Sequence, residues 1–314
     1  MRSIERRGEP IFLAGCGRSG TTWLSEVVNF DNAFRIIFEP LRHDTGPTVA
    51  RMLGYWPYLR PADRPADLVS QMHDVLTGGF SSEWTDRFGA RDSNRMLVKE
   101  IRANFLLGWL RAAFPSMPMV FILRHPCAVA ASEIRLGWTG WDEPMAALAA
   151  RPDLVGDHLE PFIDVIHGAR STFEQRIVLW CIRNIVPLSQ LARGDASVVL
   201  YERLLADPMA EMTPLLQALG RPIDEPAIMQ AWRRPSAMTM ASGDPARSDR
   251  VAGAVGEAGE AGVAGEAAWM RSTTADERAR AVTILRAFGL DRIYTDDPMP
   301  HVAGADVLVS RDTQ

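Results

Sequence analysis

Near its start the chain reads "PIFLAGCGRSGTTWLSEVV", an apolar run at 10–15 joined to a helical pattern at 20–30 by a loop with glycines at 15 and 20. A G-x-x-x-x-G turn between a strand and a helix aims successive backbone N–H groups and the helix N-terminus at one point, which makes it an anion cradle. A phosphate-bearing ligand suits it. A kinase-type loop would place Lys after the second glycine, where this chain has Thr21. Here Arg18 offers a planar multi-donor cation, Ser19, Thr21 and Thr22 offer hydroxyls around Gly20, and Trp23 offers a stacking face.

Four further short runs are apolar enough to be strands of a buried parallel sheet: "FRIIFE" (34–39), "RMLVKE" (95–100), "PMVFILR" (118–124) and "SVVLYE" (197–202). Helical patterns at 61–77, 102–114, 126–136, 159–193, 207–219 and 274–288 lie among and after them, with Pro126 placed for a first turn. The alternation predicts an α/β fold, a three-layer α/β/α arrangement with a central parallel sheet and a P-loop-like strand-loop-helix phosphate site. The 314 residues fit one large domain spanning 1–314. The Gly/Ala-rich stretch 244–268 is too poor in bulky apolar residues to build a core and reads as a flexible loop or lid.

The net charge of −5 disfavours a nucleic-acid partner, whose backbone calls for a basic surface. Cys16, Cys127 and Cys181, an odd number without metal-ligand spacing, read as reduced thiols. The chain has neither a signal-type apolar core at its start nor an apolar run of about 18 residues, so the expected location is cytoplasmic, with no membrane partner. Its scattered histidines form no ligand set, and no metal is expected.

The "RSGTTWL" segment resembles the 5′-phosphosulfate loop of sulfotransferases that use 3′-phosphoadenosine 5′-phosphosulfate (PAPS). A second segment, "LRHPCAVAAS", is similar to that family's 3′-phosphate motif, an Arg ending a strand and a Ser eight positions later, here Arg124 and Ser132. The resemblance covers most of 10–220. It implies PAPS as donor, 3′-phosphoadenosine 5′-phosphate (PAP) as product, no required metal, and a hydroxyl acceptor on a small molecule, glycoside or carbohydrate, in a soluble bacterial-type enzyme of secondary metabolism. By the same resemblance Lys99 in "VKEIR" contacts the sulfonate region, Tyr201 in "LYERLLADP" contacts adenine and Trp23 stacks on it. Arg203 departs from the Asp usual in that element. The Arg-Lys-Gly 3′-phosphate loop of the cytosolic branch has no clear counterpart, leaving Arg247 or Arg250 as substitutes, while "RPSAMT" (234–239) reads as a plain loop or as a source of adenine contacts.

Branches of the family differ in the general base. The His that the aryl and steroid branch carries two residues after the Lys is Ile101 here. The stretch "FRIIFEPLRHD" instead resembles the "FEPL" segment of carbohydrate sulfotransferases, which implies Glu39 as base, with His43 as the alternative. Glu39 also reads as a structural carboxylate tied to Arg35 or Arg42. Arg18 and Lys99 would neutralise charge developing at the transferring group. The aromatics of "GYWPYLR" (54–60) with Trp84, Trp138 and Trp141 read either as core or as an acceptor pocket. Two rival readings are a P-loop kinase or phosphotransferase, and a non-catalytic PAPS- or PAP-binding protein that binds without turnover.

Overall fold

All five apolar runs are strands: β1 (Ile11–Gly15), β2 (Arg35–Phe38), β3 (Met96–Glu100), β4 (Met119–Leu123) and β5 (Ser197–Leu200). They form one parallel sheet in the order β2-β3-β1-β4-β5. The computed structural model describes residues 9–44, 46–87, 93–236 and 268–310. The Gly/Ala-rich stretch 244–267, Arg247, Arg250 and residues 237–239 of "RPSAMT" lie outside the described residues.

Side chains alternate between the two faces of the sheet, and both faces are covered. The helices are α1 (Thr21–Val28), α2 (Thr48–Leu53), α3 (Ala66–Leu76), α4 (Leu107–Ala113), α5 (Pro126–Arg135), α6 (Asp142–Ala149) and α7 (Pro152–Leu154). They continue with α8 (Ile163–Gly168), α9 (Thr172–Gln190), α10 (Tyr201–Ala206), α11 (Pro208–Ala218), α12 (Glu225–Trp232), α13 (Ala268–Arg271) and α14 (Ala275–Ala287). Ile11, Leu13, Val120 and Ile122 pack with α1, α10, α11 and α12, whereas Phe12, Ala14, Val98 and Phe121 pack with α3, α4, α5, α9 and α14. The result is the three-layer α/β/α arrangement.

Parallel register sets the carboxyl edge of the sheet. Phe38 and Leu13 both pair with Lys99, Gly15 pairs with Ile122, and Leu123 pairs with Leu200. The residues that follow these strand ends, Glu39, Cys16, Arg124 and Tyr201, therefore gather along one crevice, where open α/β sheets bind ligands.

The structure corrects several boundaries. Strand β2 stops at Phe38 and β5 at Leu200, so Glu39 stands in the turn beyond its strand and Tyr201 opens helix α10. The continuous helix expected at 159–193 is broken after Gly168, and Ser171 restarts it as α9 through a capping box with Glu174. Helix α3 starts only at Ala66, behind Pro65.

All three cysteines are buried free thiols, and burial pushes those of Cys16 and Cys127 up to about 12. Among the described residues no helix is long and apolar enough to cross a membrane.

The C-terminal segment closes against the end of β4. The His125 Nε2 lies 3.1 Å from the Thr295 carbonyl, which only accepts, so Nε2 carries the proton and Nδ1 accepts the Cys127 N–H at 3.2 Å. Its ring stacks on Trp269 with centroids 4.2 Å apart. Glu202 accepts from the His125 N–H at 2.7 Å and from the Tyr294 hydroxyl at 2.8 Å.

Candidate active site

The loop after β1 is shaped by what it cannot hold. A Cβ at Gly15 would lie 2.7 Å from the Ile122 side chain and carbonyl, and one at Gly20, whose φ is 87°, would lie 2.6 Å from the Tyr201 ring. Gly20 thus lets α10 press against the first turn of α1. Arg18 takes the left-handed φ of 69°, uncommon for a residue with a side chain. Ser19 is 1% exposed, and its Oγ has no hydrogen-bond partner among the described residues. An orphaned hydroxyl in an N–H cradle fits a phosphate or sulfonate oxygen.

Around the loop the cations converge. The Arg18 Nε donates to the Ser132 Oγ at 3.0 Å, and the Arg124 Nη1 donates to the Arg18 carbonyl at 3.1 Å. The Arg124 guanidinium lies 4.4 Å over the Tyr201 ring. Trp23 meets Tyr201 edge-on at 5.6 Å, and its Nε1 donates to the Trp232 carbonyl at 3.1 Å. Trp23 is therefore mostly packed into the helical layer, with its ring edge beside Tyr201.

A second cluster sits at the ends of β2 and β3. Glu39 has a φ of 43° and donates its N–H to the Lys99 carbonyl at 2.7 Å. Its Oε1 accepts from the Lys99 Nζ at 2.6 Å and its Oε2 from the Arg102 Nη1 at 2.9 Å. Burial alone would raise the Glu39 carboxyl, but the Lys99 and Arg102 charges outweigh it and hold the group below its ordinary value. Burial lowers the Lys99 ammonium, and Glu39 opposes that shift. The Phe38 ring lies 4.5 Å from the ammonium. Glu100, fully buried, accepts three backbone N–H groups, from Leu41 at 2.6 Å, Ile101 at 2.8 Å and Arg102 at 2.9 Å. It fastens the "EPL" turn to the end of β3.

Between the clusters opens a cavity of about 420 Å³, lined by Gly17, His43, Tyr55, Arg102, Asn104 and Trp138 among others. The Trp138 ring covers Gly17, where a Cβ would stand 3.3 Å away. Arg176 holds the loop of Trp138 by donating to its carbonyl at 2.9 Å and to that of Gly140. Glu133 accepts from Arg183 at 3.1 Å and lies 3.8 Å from Arg176.

The model of the sulfotransferase family matches residues 10–225. The chain belongs to the sulfotransferase family. Among solved structures, this sulfotransferase is similar to the sulfotransferase domain from the Synechococcus PCC 7002 olefin synthase, at 18% identity over 90% of this chain and 95% of that one, with a TM-score of 0.43. It is similar to the sulfotransferase domain from the curacin biosynthetic pathway at 17% identity over 71% and 77% of the two chains, with a TM-score of 0.41. A mouse sulfotransferase complexed with PAP is 11% identical over 89% of this chain and 83% of that one, with a TM-score of 0.42. No curated protein matches the chain.

In this sulfotransferase the loop residues Arg18 to Trp23 stand together with Arg124, Ser132 and Tyr201, while Glu39 and Lys99 form their own pair. His43 joins neither group. It lines the cavity, its ring edge-on to Tyr55 at 5.7 Å, and its Nδ1 is buried with no partner among the described residues. Arg35 and Arg42, the neighbours expected to tie Glu39, pair instead with Asp86 at 2.7 Å and Asp44 at 2.8 Å. Tyr55, Trp56 and Trp138 line the cavity, whereas Trp84 packs on Phe38 at 5.3 Å. Sequence reasoning missed Arg102, Asn104, Glu100 and Glu133. Arg102 stood in the quoted "VKEIR", three residues beyond Lys99, and its charge was the available signal.

Proposed function

We propose that this sulfotransferase moves a sulfonate group from PAPS to a hydroxyl of a small-molecule, glycoside or carbohydrate acceptor, leaving PAP. The observation that carries this reading is the convergence of Arg18, Arg124, Ser132 and Tyr201 on a cradle with an orphaned Ser19 hydroxyl. Ser19, Thr21, Thr22 and the loop N–H groups would hold the 5′-phosphosulfate, Arg124 and Ser132 the 3′-phosphate, and Tyr201 with Trp23 the adenine. Bound PAPS supplies a sulfonyl group on a good leaving group, so positioning and charge stabilisation dominate the protein's part. Arg18 and Lys99 neutralise charge at the transferring group. The whole chain, 1–314, acts as one domain.

Glu39 accepts the proton of the acceptor hydroxyl. Its support is the Lys99 and Arg102 pairing, which keeps the carboxylate ionised through the neutral range. One observation favours a second reading: His43 lines the cavity, and its buried Nδ1 has no hydrogen-bond partner among the described residues.

Thermal unfolding with PAP and with adenosine 5′-phosphate tests the donor. A ligand that binds only the folded state stabilises it by about 2.7 kcal/mol at a hundred times its Kd. PAP raises Tm more than adenosine 5′-phosphate does, and Arg124→Ala removes most of that difference. Equal shifts from the two nucleotides would sink the assignment.

A further inference from the structure

Of the charged residues that line the cavity between the two clusters, most are spoken for. Arg42 and Asp44 bind each other through two hydrogen bonds, at 2.8 and 2.9 Å. Arg176 is buried and gives Nη1 to the Trp138 carbonyl and Nη2 to that of Gly140. Glu133, its side chain only 3% exposed, pairs with both Arg176 and Arg183, so its carboxylate is not on offer to a ligand. Glu143 is exposed in the first turn of α6. That leaves Arg102 and Arg183.

Each of these two spends only part of its guanidinium. The Arg183 Nη1 donates to Glu133 at 3.1 Å, and the Arg102 Nη1 donates to Glu39 at 2.9 Å and lies 3.7 Å from Glu100. Neither side chain makes another hydrogen bond among the described residues, and they are 20% and 29% exposed in that order. A guanidinium carries five N–H donors in a planar fork, so both keep an unused edge. Their Nε and Nη2 atoms are accessible, unlike the buried Nε of Arg176, and both residues line the cavity. Burial raises the Tyr55 hydroxyl in the cavity wall and the charges of Arg183 and Arg102 oppose it, so the two guanidiniums neighbour one wall.

Every unused group here is a donor, so the ligand atoms that meet them accept. Charge narrows the choice further. Lys99 and Arg102 stand against Glu39 and Glu100, whereas Arg176 and Arg183 share the one carboxylate of Glu133. The single positive charge left over matches a monoanion rather than a phosphate dianion. Arg102 also holds Glu39, so an anion on its open edge sits one guanidinium away from the carboxylate assigned to the acceptor's proton. We propose that Arg102 and Arg183 form an anion subsite, which takes a carboxylate or sulfate monoester borne by the acceptor. The acceptor class is a hydroxylated monoanion. The role of Glu39 rests on the proposed function; the subsite rests on the two open guanidinium edges.

Isothermal titration of the full chain saturated with PAP, so that the cradle is filled, tests it on two scaffolds. One is methyl β-D-glucopyranoside against its 6-sulfate and against methyl β-D-glucuronide, whose two arms tell sulfate from carboxylate. The other is 4-hydroxybenzamide against 4-hydroxybenzoate. On at least one scaffold an anionic form binds about tenfold more tightly than the neutral one, the worth of a charge-assisted hydrogen bond. Arg183→Met, which keeps an apolar stem and leaves Arg176 to Glu133, removes most of that ratio. General loosening of the cavity would weaken both forms and leave the ratio unchanged. The inference is overturned by no anion preference on either scaffold, whether from equal affinity or from absence of binding. It is equally overturned by a preference that Arg183→Met leaves intact, which would put the anion in the sulfonate position of the cradle. If Arg183→Met does not fold, Arg102→Gln is read in the same way. PAP is titrated first: its failure to bind refutes the donor reading, and the anion titrations then run on the free chain, while PAP binding without an anion preference refutes only the subsite.

Discussion

Lys99 and Glu39 meet across the ends of β3 and β2 in a buried ion pair, Nζ to Oε1 at 2.6 Å, with the two side chains 3% and 8% exposed. Removing Glu39 leaves the Lys99 charge buried without this partner, whereas removing Lys99 leaves Glu39 paired with Arg102 alone. The sign of the pH effect follows. Lys99 and Arg102 overcome burial and hold the Glu39 carboxyl below its ordinary value near 4.5, so its base form persists down to a lower pH. The acidic limb of kcat/KM assigned to Glu39 therefore lies below 4.5. Lys99→Met removes the largest favourable charge and keeps the burial, and the limb moves to higher pH. A pH–rate profile of wild type and variant reads this directly, and an unmoved limb would show that Glu39 does not carry it.

Glu39→Gln retains shape and hydrogen bonding but takes no proton. Its kcat falls by about 10²–10⁴, the range for general-base removal, while PAP affinity holds. His43→Asn is milder. Single-turnover rates make the comparison, since product release can mask chemistry. Near wild-type transfer by Glu39→Gln alongside a dead His43→Asn would make His43 the base.

Arg18, hydrogen-bonded to Ser132 and carrying Arg124 on its carbonyl, stands at the centre of the cation cluster. Arg18→Ala lowers kcat by about 10²–10³, the usual effect of losing one preorganised donor. The loss appears in kcat more than in the KM for PAPS. A large rise in KM at constant kcat would instead assign Arg18 to uniform binding.

His125 gives a stability test remote from turnover. Burial pushes its imidazole down from 6.5 to about 3, so the folded state keeps it neutral where the unfolded chain protonates it. The contribution is fully present above 6.5 and is lost as pH falls toward 3. Within that window it makes stability fall by up to about 1.4 kcal/mol per pH unit. His125→Asn, which keeps an N-cap acceptor for α5, flattens that part of the curve in urea unfolding measured at stepped pH. An unchanged slope would contradict a buried neutral imidazole.

The strands were legible because a strand buried on both faces is rich in apolar residues, and each of the five runs has an apolar centre, even that of β3, whose Lys99 and Glu100 come at its carboxyl end. The phosphate loop was legible for a related reason, since its glycines, Arg18 and hydroxyls are adjacent in sequence. Partners were not. Glu39 stands four residues from Arg35 and three from Arg42, yet its ion pairs are with Lys99 and Arg102, because parallel pairing of β2 with β3 brings the two strand ends together. The break before α9 carried a signal in Ser171 and Glu174, an S-x-x-E spacing hidden inside a continuous helical pattern. Arg183 had none, since an arginine inside a helical pattern acquires meaning only when its neighbours leave part of it open.

The sulfotransferase match ends at residue 225, but the fold does not. Glu202 and His125, at the ends of β5 and β4, are completed by Tyr294, Thr295 and Trp269 from beyond that point. A chain cut at 225 would keep every residue of the phosphate cradle and lose the hydroxyl, carbonyl and indole that shelter a carboxylate and an imidazole beneath it. The end of the family match is therefore not the end of the packed core, and a fragment cut there would uncover groups that residues beyond it now bury.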